Sequence, residues 1–157
     1  MTPLPRTRLQ RKRDALRRLE QDVDAWVATA DPASGIPYLV PLSFLWDGTT
    51  LLVATPASSP TSRNLRATGR IRLGIGPTRD VVLIEGTVDA LAVAEISSGV
   101  GDAFADKTGF DPRRLKGTYL YFRIHLQRVQ AWREANELEG RELMSGGQWI
   151  DSEGAPP

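Results

Sequence analysis

Between residues 24 and 134 short apolar segments alternate with clusters of turn residues, a spacing that points to antiparallel β-structure with two helical insertions. Residues 24–30, with Trp26 and Val27, read as a strand, and Asp31-Pro-Ala-Ser-Gly35 reads as a turn by its Asp, Pro and Gly. Residues 37–45 form a second strand, interrupted by Pro41. Proline has no N–H to give a neighbour, so Pro41 points to an edge or a bulge. Asp47-Gly48 marks a hairpin returning through residues 50–55. In residues 70–76, Ile71, Leu73 and Ile75 alternate with Arg72 and Gly74, the period of two that sends side chains to opposite faces of a sheet. Residues 81–91 are the most apolar strand, and residues 119–126 and 128–134 complete the series. Seven short strands linked mostly by hairpins predict a mainly β fold, an antiparallel barrel with flanking helices.

Helical spacing shows in three places. At the N-terminus Leu9, Leu16, Leu19 and Val23 define one apolar stripe, with seven basic side chains (Arg6, Arg8, Arg11, Lys12, Arg13, Arg17, Arg18) set against Asp14 and Glu20. These charges are expected to lie on a solvated helix face, and nucleic acid is not an expected partner. After the third strand, Ser59 suits an N-cap, Pro60 the first helical position and Gly69 a stop. Val100, Ala103, Phe104 and Lys107 make a helix ending at Gly109, and Asp111-Pro112 opens a further short turn. No repeat, low-complexity segment or linker divides the chain. It is therefore expected to be a single domain over residues 1–157: an N-terminal helix over 1–23, a barrel core over 24–134 and a loop-like tail over 135–157, mobile at its tip.

The side-chain chemistry is sparse. Zero cysteines exclude disulfides, zinc–thiolate sites and thiol nucleophiles, and a single histidine, His125, argues against a histidine metal cluster and most Ser-His catalysis. No apolar run reaches the roughly 20 residues of a membrane span, and the Arg-rich start lacks the apolar core of a signal peptide, so a cytoplasmic location is expected. There is no dinucleotide fingerprint, phosphate loop or nucleophile elbow. Asp102 and Asp106 sit with Lys107 on one helix and read as a solvated face.

One segment concentrates polar groups. From Ala54 to Asn64 a strand end runs into a helix start, bringing together Thr55, Ser58, Ser59, Thr61 and Ser62, the unpaired amides of a first helical turn, and Arg63. Helix N-termini attract anions because their amides are unpaired and the helix dipole is positive there. A guanidinium adds a bidentate grip on phosphate. Plain helix capping accounts for the same residues equally well.

The ordered series Leu51-Leu-Val-Ala-Thr-Pro, Ser62-Arg63-Asn64-Leu65-Arg66 and Arg70-Ile-Arg-Leu-Gly-Ile resembles the pyridoxamine 5′-phosphate oxidase-like, flavin-binding split β-barrel family. The hairpin leading in (Trp26-Val-Ala-Thr, Gly35, then Tyr38-Leu-Val-Pro-Leu-Ser-Phe-Leu-Trp-Asp-Gly) and Val82-Leu-Ile-Glu-Gly-Thr-Val fit the same series, so the likeness spans roughly residues 24–133. The resemblance implies a six- to seven-stranded split barrel that forms a homodimer with cofactor sites at the subunit interface. FMN, or alternatively the deazaflavin coenzyme F-420, would be the cofactor. Its phosphate would lie at Thr55, Ser59, Thr61, Ser62 and Arg63, with Asn64 bracing the loop. Its ring would lie along Val40, Pro41, Leu42, Ser43 and Ala54, and Trp132 of the second subunit would cover one face. Many relatives carry a basic residue where this chain has Thr61, and the strand of the vitamin-pathway oxidases that corresponds to residues 38–44 is basic where this one is apolar. Pyridoxamine phosphate is thus not the expected substrate. The implied function is hydride transfer to or from a small molecule, with no catalytic acid or base assigned; the alternative is a non-enzymatic flavin or heme carrier.

Overall fold

A computed structural model of the protein describes residues 1–151. Its elements are α1 (Arg8–Gln21), β1 (Asp24–Ala30), β2 (Pro37–Trp46), β3 (Thr50–Pro56), α2 (Pro60–Thr68), β4 (Arg70–Ile75), β5 (Val81–Ala92), α3 (Ser98–Thr108), β6 (Tyr119–Trp132), β7 (Glu142–Ser145) and β8 (Gln148–Trp149). All pairings are antiparallel in the order β3-β2-β1-β4-β5-β6-β7-β8, and β3 also pairs with β6, closing six strands into a barrel with β7 and β8 appended. No helix among the described residues is long and apolar enough to cross a membrane.

The period of two sorts the strand residues as expected. Val27, Phe44, Leu51, Val53, Leu73, Ile84, Phe122 and Ile124 fill the barrel. Leu52, Ala54 and Tyr121 point the other way and form a second core with Phe104 of α3. Phe104 stands edge-on to both Tyr121 and Phe110, ring centroids 5.5 Å apart, a favoured aromatic geometry.

Two expectations about the C-terminal part are corrected. The sixth and seventh expected strands are one continuous strand, β6. Gln127 is an extra residue between the pairs Gly86↔Leu126 and Glu85↔Arg128, so the alternation slips there without a break in the strand. A Cβ at Gly86 would lie 2.8 Å from the His125 carbonyl oxygen and from Ile124 Cγ2, so the bulge requires a glycine. The tail is not loop-like: β7 pairs with β6, and Leu143 and Met144 join the core. The expected mobile tip lies outside the described residues.

The N-terminal helix also differs from its expected stripe. Its buried face is Arg11, Ala15 and Leu19, spaced by four, whereas Leu9 and Val23 are exposed. Arg11 can be buried because its guanidinium donates to the carbonyls of Arg6 (3.1 Å), Glu137 (2.8 Å) and Glu139 (3.2 Å). Arg6 grips both carboxylate oxygens of Glu137 (3.0 and 2.7 Å) and also Asp14 (2.8 Å), and Arg18 reaches Asp80 (2.7 Å). Part of the basic arm is therefore an internal fastener holding α1 to the β4–β5 turn and to the segment after β6. That segment is a short turn of helix, Ala135–Glu137.

Candidate functional site

β3 pairs with β6 along its whole length, from Thr50↔His125 to Pro56↔Tyr119, but it meets β2 only from Phe44↔Val53 to Trp46↔Leu51. Beyond that point the two strands part. The stretch Pro37–Ser43 keeps β1 on one side and has no strand on the other among the described residues. This is the split of the barrel, and α2, packed against β1, β2, β3 and β5, lies over it.

The loop into α2 is built by short-range hydrogen bonds. Ser59 is the N-cap: its Oγ accepts from Ser62 N–H at 3.1 Å and lies 3.1 Å from Thr55 Oγ1. Such a cap contributes about 1 kcal/mol. Pro60 occupies the first turn, and Gly69 ends the helix with a left-handed φ of 67°. Arg63 donates to the Ser58 carbonyl and Arg66 to the Ala57 carbonyl, each at 2.6 Å. Helical side chains lean back toward the N-terminus, which brings both guanidiniums alongside the loop. No acidic residue stands in the first turn of α2, so nothing offsets the positive end of its dipole.

Thr61, Ser62 and Asn64 are all buried. Asn64 Nδ2 donates to Thr29 Oγ1 of β1 at 3.1 Å, fastening the helix to the barrel. Ser62 Oγ is fully buried with no hydrogen-bond partner among the described residues. An unsatisfied buried hydroxyl costs about 1–3 kcal/mol, so this atom needs an accounting.

Thr55, Ser59, Thr61, Ser62, Arg63 and Asn64 thus come together in one compact loop and helix turn. Val40 and Leu42 are half-buried on the inner side of the neighbouring β2 edge; Pro41 is exposed on the outer side, and Ser43 Oγ donates to Asp24 Oδ1 at 2.6 Å. The Ala54 side chain faces α3 in the second core, leaving only its backbone toward the split. Trp132 is not brought to the loop within the chain. It ends β6, while the loop adjoins Tyr119 at the start of that 14-residue strand, roughly 40 Å away along the strand. Arg141 stacks 5.6 Å from the Trp132 ring centre.

Two contributors escape the sequence reading. Thr29 lies 35 residues before its partner Asn64, and nothing local marks it. Arg66 was detectable in principle, because a residue three after Arg63 shares its helix face.

The outer face of the barrel is also distinctive. Trp26, Leu39 and Leu83 are exposed, at 55%, 59% and 37% of their full surface. They surround a hollow of about 300 Å³ over Gly74, where no side chain fills the sheet surface. A shallower hollow of about 660 Å³ adjoins it, lined by Ala28, Thr68, Arg70, Arg72, Glu85 and Thr87. No group of three or more His, Asp or Glu capable of holding a metal occurs among the described residues.

A closed six-stranded antiparallel barrel, split between β2 and β3 and covered there by a helix whose N-terminus carries hydroxyls and an arginine, defines a split β-barrel protein. The sequence model of the family described as pyridoxamine 5′-phosphate oxidase matches residues 13–133, and the chain belongs to that family. No curated protein matches. Solved structures share the fold at low identity. An F420 reductase is 18% identical with a TM-score of 0.58, over 72% of this chain and 93% of its own. A putative pyridoxamine 5′-phosphate oxidase from Listeria innocua is 15% identical with a TM-score of 0.60, over 78% and 98%. A FAD-binding protein from Mesorhizobium loti is 20% identical with a TM-score of 0.55, over 74% and 89%.

Proposed function

We propose that the protein binds a flavin-type cofactor, FMN or the deazaflavin coenzyme F420, at the α2 loop and the split between β2 and β3, and that it is an oxidoreductase acting on a small molecule. The observation that carries this reading is the fully buried, unpartnered Ser62 Oγ beside Arg63 in the first turn of α2. A phosphate supplies the acceptor this hydroxyl lacks, and the residues present fit such a group. Arg63, now on the neutral Ser58 carbonyl, would exchange it for a charged acceptor, a hydrogen bond about twice as strong. Ser59 and Thr61 add hydroxyls, Asn64 holds the turn rigid through Thr29, and the free side of the β2 edge would offer the Pro41 carbonyl and the Ser43 amide to a ring edge. When bound, the cofactor would supply hydride transfer; the chain would bind, orient and exclude water. That division suits a protein with a single histidine and no cysteine. Solved relatives named as an F420 reductase and a FAD-binding protein support the cofactor class. β2 carries no basic residue to meet a second phosphate, which argues against pyridoxamine phosphate as substrate.

The same reading includes a homodimer. Trp26, Leu39 and Leu83 are too large and too clustered to stand in water without a partner surface. A second copy seated there would let its Trp132 approach the first copy's split.

The test is titration with FMN and with F420, followed by absorbance and fluorescence. Arg63→Ala should weaken binding about tenfold or more while the melting temperature holds, because its guanidinium is exposed. An unchanged affinity removes Arg63 from the site, and failure of the unaltered protein to bind either compound overturns the proposal. Binding without turnover of any acceptor would leave a carrier in place of an enzyme. Trp26→Glu should convert the dimer to monomer in sedimentation equilibrium, and a dimer that persists would discard this face.

A further inference from the structure

A second enclosed space lies at the opposite end of β3. Between the β2–β3 hairpin and α3 is a cavity of about 220 Å³ whose walls include Leu45, Trp46, Leu52, Val100, Ala103 and Arg123. It is separate from the α2 loop: Thr50 borders it, and Thr55 stands five residues along the strand, about 17 Å away. The walls are mostly apolar, and their polar members are Asp47, Thr50 and Arg123. Arg123 stands on the outer side of β6, half-buried, opposite Leu52 on β3 and Asp89 on β5. Its guanidinium makes no hydrogen bond or ion pair with any described residue, which is unusual beside two carboxylates.

Both carboxylates are engaged elsewhere. Asp47 Oδ1 accepts from the amides of Thr49 (2.8 Å) and Thr50 (2.6 Å), and its Oδ2 accepts from Thr50 Oγ1 (2.8 Å). Burial disfavours its ionised form, but these donors and the nearby charge of Arg123 outweigh burial and keep it anionic. Asp89 Oδ2 lies 2.7 Å from His125 Nε2. Arg123 therefore lines the hollow beside Asp47 with none of its five side-chain N–H donors hydrogen-bonded to a described residue. Gly99, at the mouth, would meet no atom within 4 Å if it carried a Cβ, so entry is open on the α3 side.

We propose that this cavity is a binding site for a small aromatic monocarboxylate, with the ring between α3 and the hairpin and the carboxylate on Arg123. The volume selects the size: a protein cavity of about 150 Å³ takes one benzene ring, so this one holds a ring and its head group. The planar guanidinium matches a carboxylate bidentately. The fixed negative charge of Asp47 favours a monoanion over a phosphate dianion.

Benzoate, titrated into the full chain by calorimetry with 15N shift mapping, is the probe. Saturable millimolar binding is expected, with shifts confined to residues 45–52, 99–103 and Arg123. Arg123→Gln should weaken it about tenfold, and benzyl alcohol, which keeps the ring and loses the charge, should bind about tenfold more weakly than benzoate. Gly99→Leu places a side chain in open space at the mouth and should abolish binding with folding intact by circular dichroism. It decides the matter should Arg123→Gln fail to fold. The proposal is overturned if benzoate does not saturate in the millimolar range, if its shifts map elsewhere, if benzyl alcohol binds as well, or if either variant binds like the unaltered protein.

Discussion

Glu137 is the residue on which the N-terminal fastener turns, and its contribution to stability can be worked out. Its side chain is 4% exposed and accepts from the Arg6 guanidinium at 3.0 and 2.7 Å, from the Arg6 amide at 3.0 Å and from the Arg133 amide at 2.9 Å. Burial alone would push this carboxyl up. The Arg6 guanidinium and the two amides outweigh that and hold it at about 2, against an ordinary 4.5. At about 1.4 kcal/mol per pH unit the difference is worth about 3 kcal/mol in favour of the folded state. A carboxyl depressed by folding contributes its full share above pH 4.5 and loses it as pH falls toward 2. Glu137→Gln keeps the shape and removes the charge. Urea denaturation at pH 7 should therefore show the variant less stable by about 2–3 kcal/mol, since an amide oxygen retains part of the bonding. Repeated at pH 3 and below, the gap between the two proteins should narrow steadily. A loss below about 0.5 kcal/mol at pH 7, the range of an ordinary surface change, or a gap that does not vary with pH, would refute the reasoning.

Three further outcomes follow from packing. Leu143→Ala should cost about 2–5 kcal/mol in denaturant unfolding, because Leu143 is fully buried; a neutral result would return the tail to the loop it resembles in sequence. Gly86→Ala should destabilise by about 1–3 kcal/mol, its Cβ falling 2.8 Å from a backbone carbonyl that cannot yield without disturbing the β6 bulge. Asn64→Ala and Thr29→Val should each cost about 1 kcal/mol or more, and the double variant less than their sum, as a double-mutant cycle would show.

Strand periodicity was legible because each strand has one wet and one packed face, and a local pattern records that difference directly. Ser59, Pro60 and Gly69 were legible for a related reason: caps are set by backbone chemistry within a few residues. In the residues themselves the candidate site shows only in its contiguous part, residues 54–64, while the Val40–Ser43 edge enters through the family resemblance. Thr29 reaches it through tertiary packing, and Trp132 lies at the far end of its strand.

The tail and the basic arm conceal each other in sequence, since each is the other's partner. Glu137 pairs with Arg6, and the carbonyls of Glu137 and Glu139 with Arg11, across more than 120 residues. The apolar stripe of the arm marks a packed face through Leu16 and Leu19 but not the burial of Arg11, and the tail shows no periodic apolar pattern that would announce burial.

The sequence by itself determined the class of fold, the turns, the capped α2 and the absence of cysteine chemistry, because those follow from local periodicity, backbone preference and residue type. Only the tertiary structure decided that Arg11 is buried, that one glycine and one extra residue make β5 and β6 a continuous bulged pair, and that β2 and β3 part to open a split. It also decided that Arg123 lines a largely apolar hollow without a hydrogen bond to any described residue. Each of these depends on what lies across from a residue, and the partner is remote in sequence.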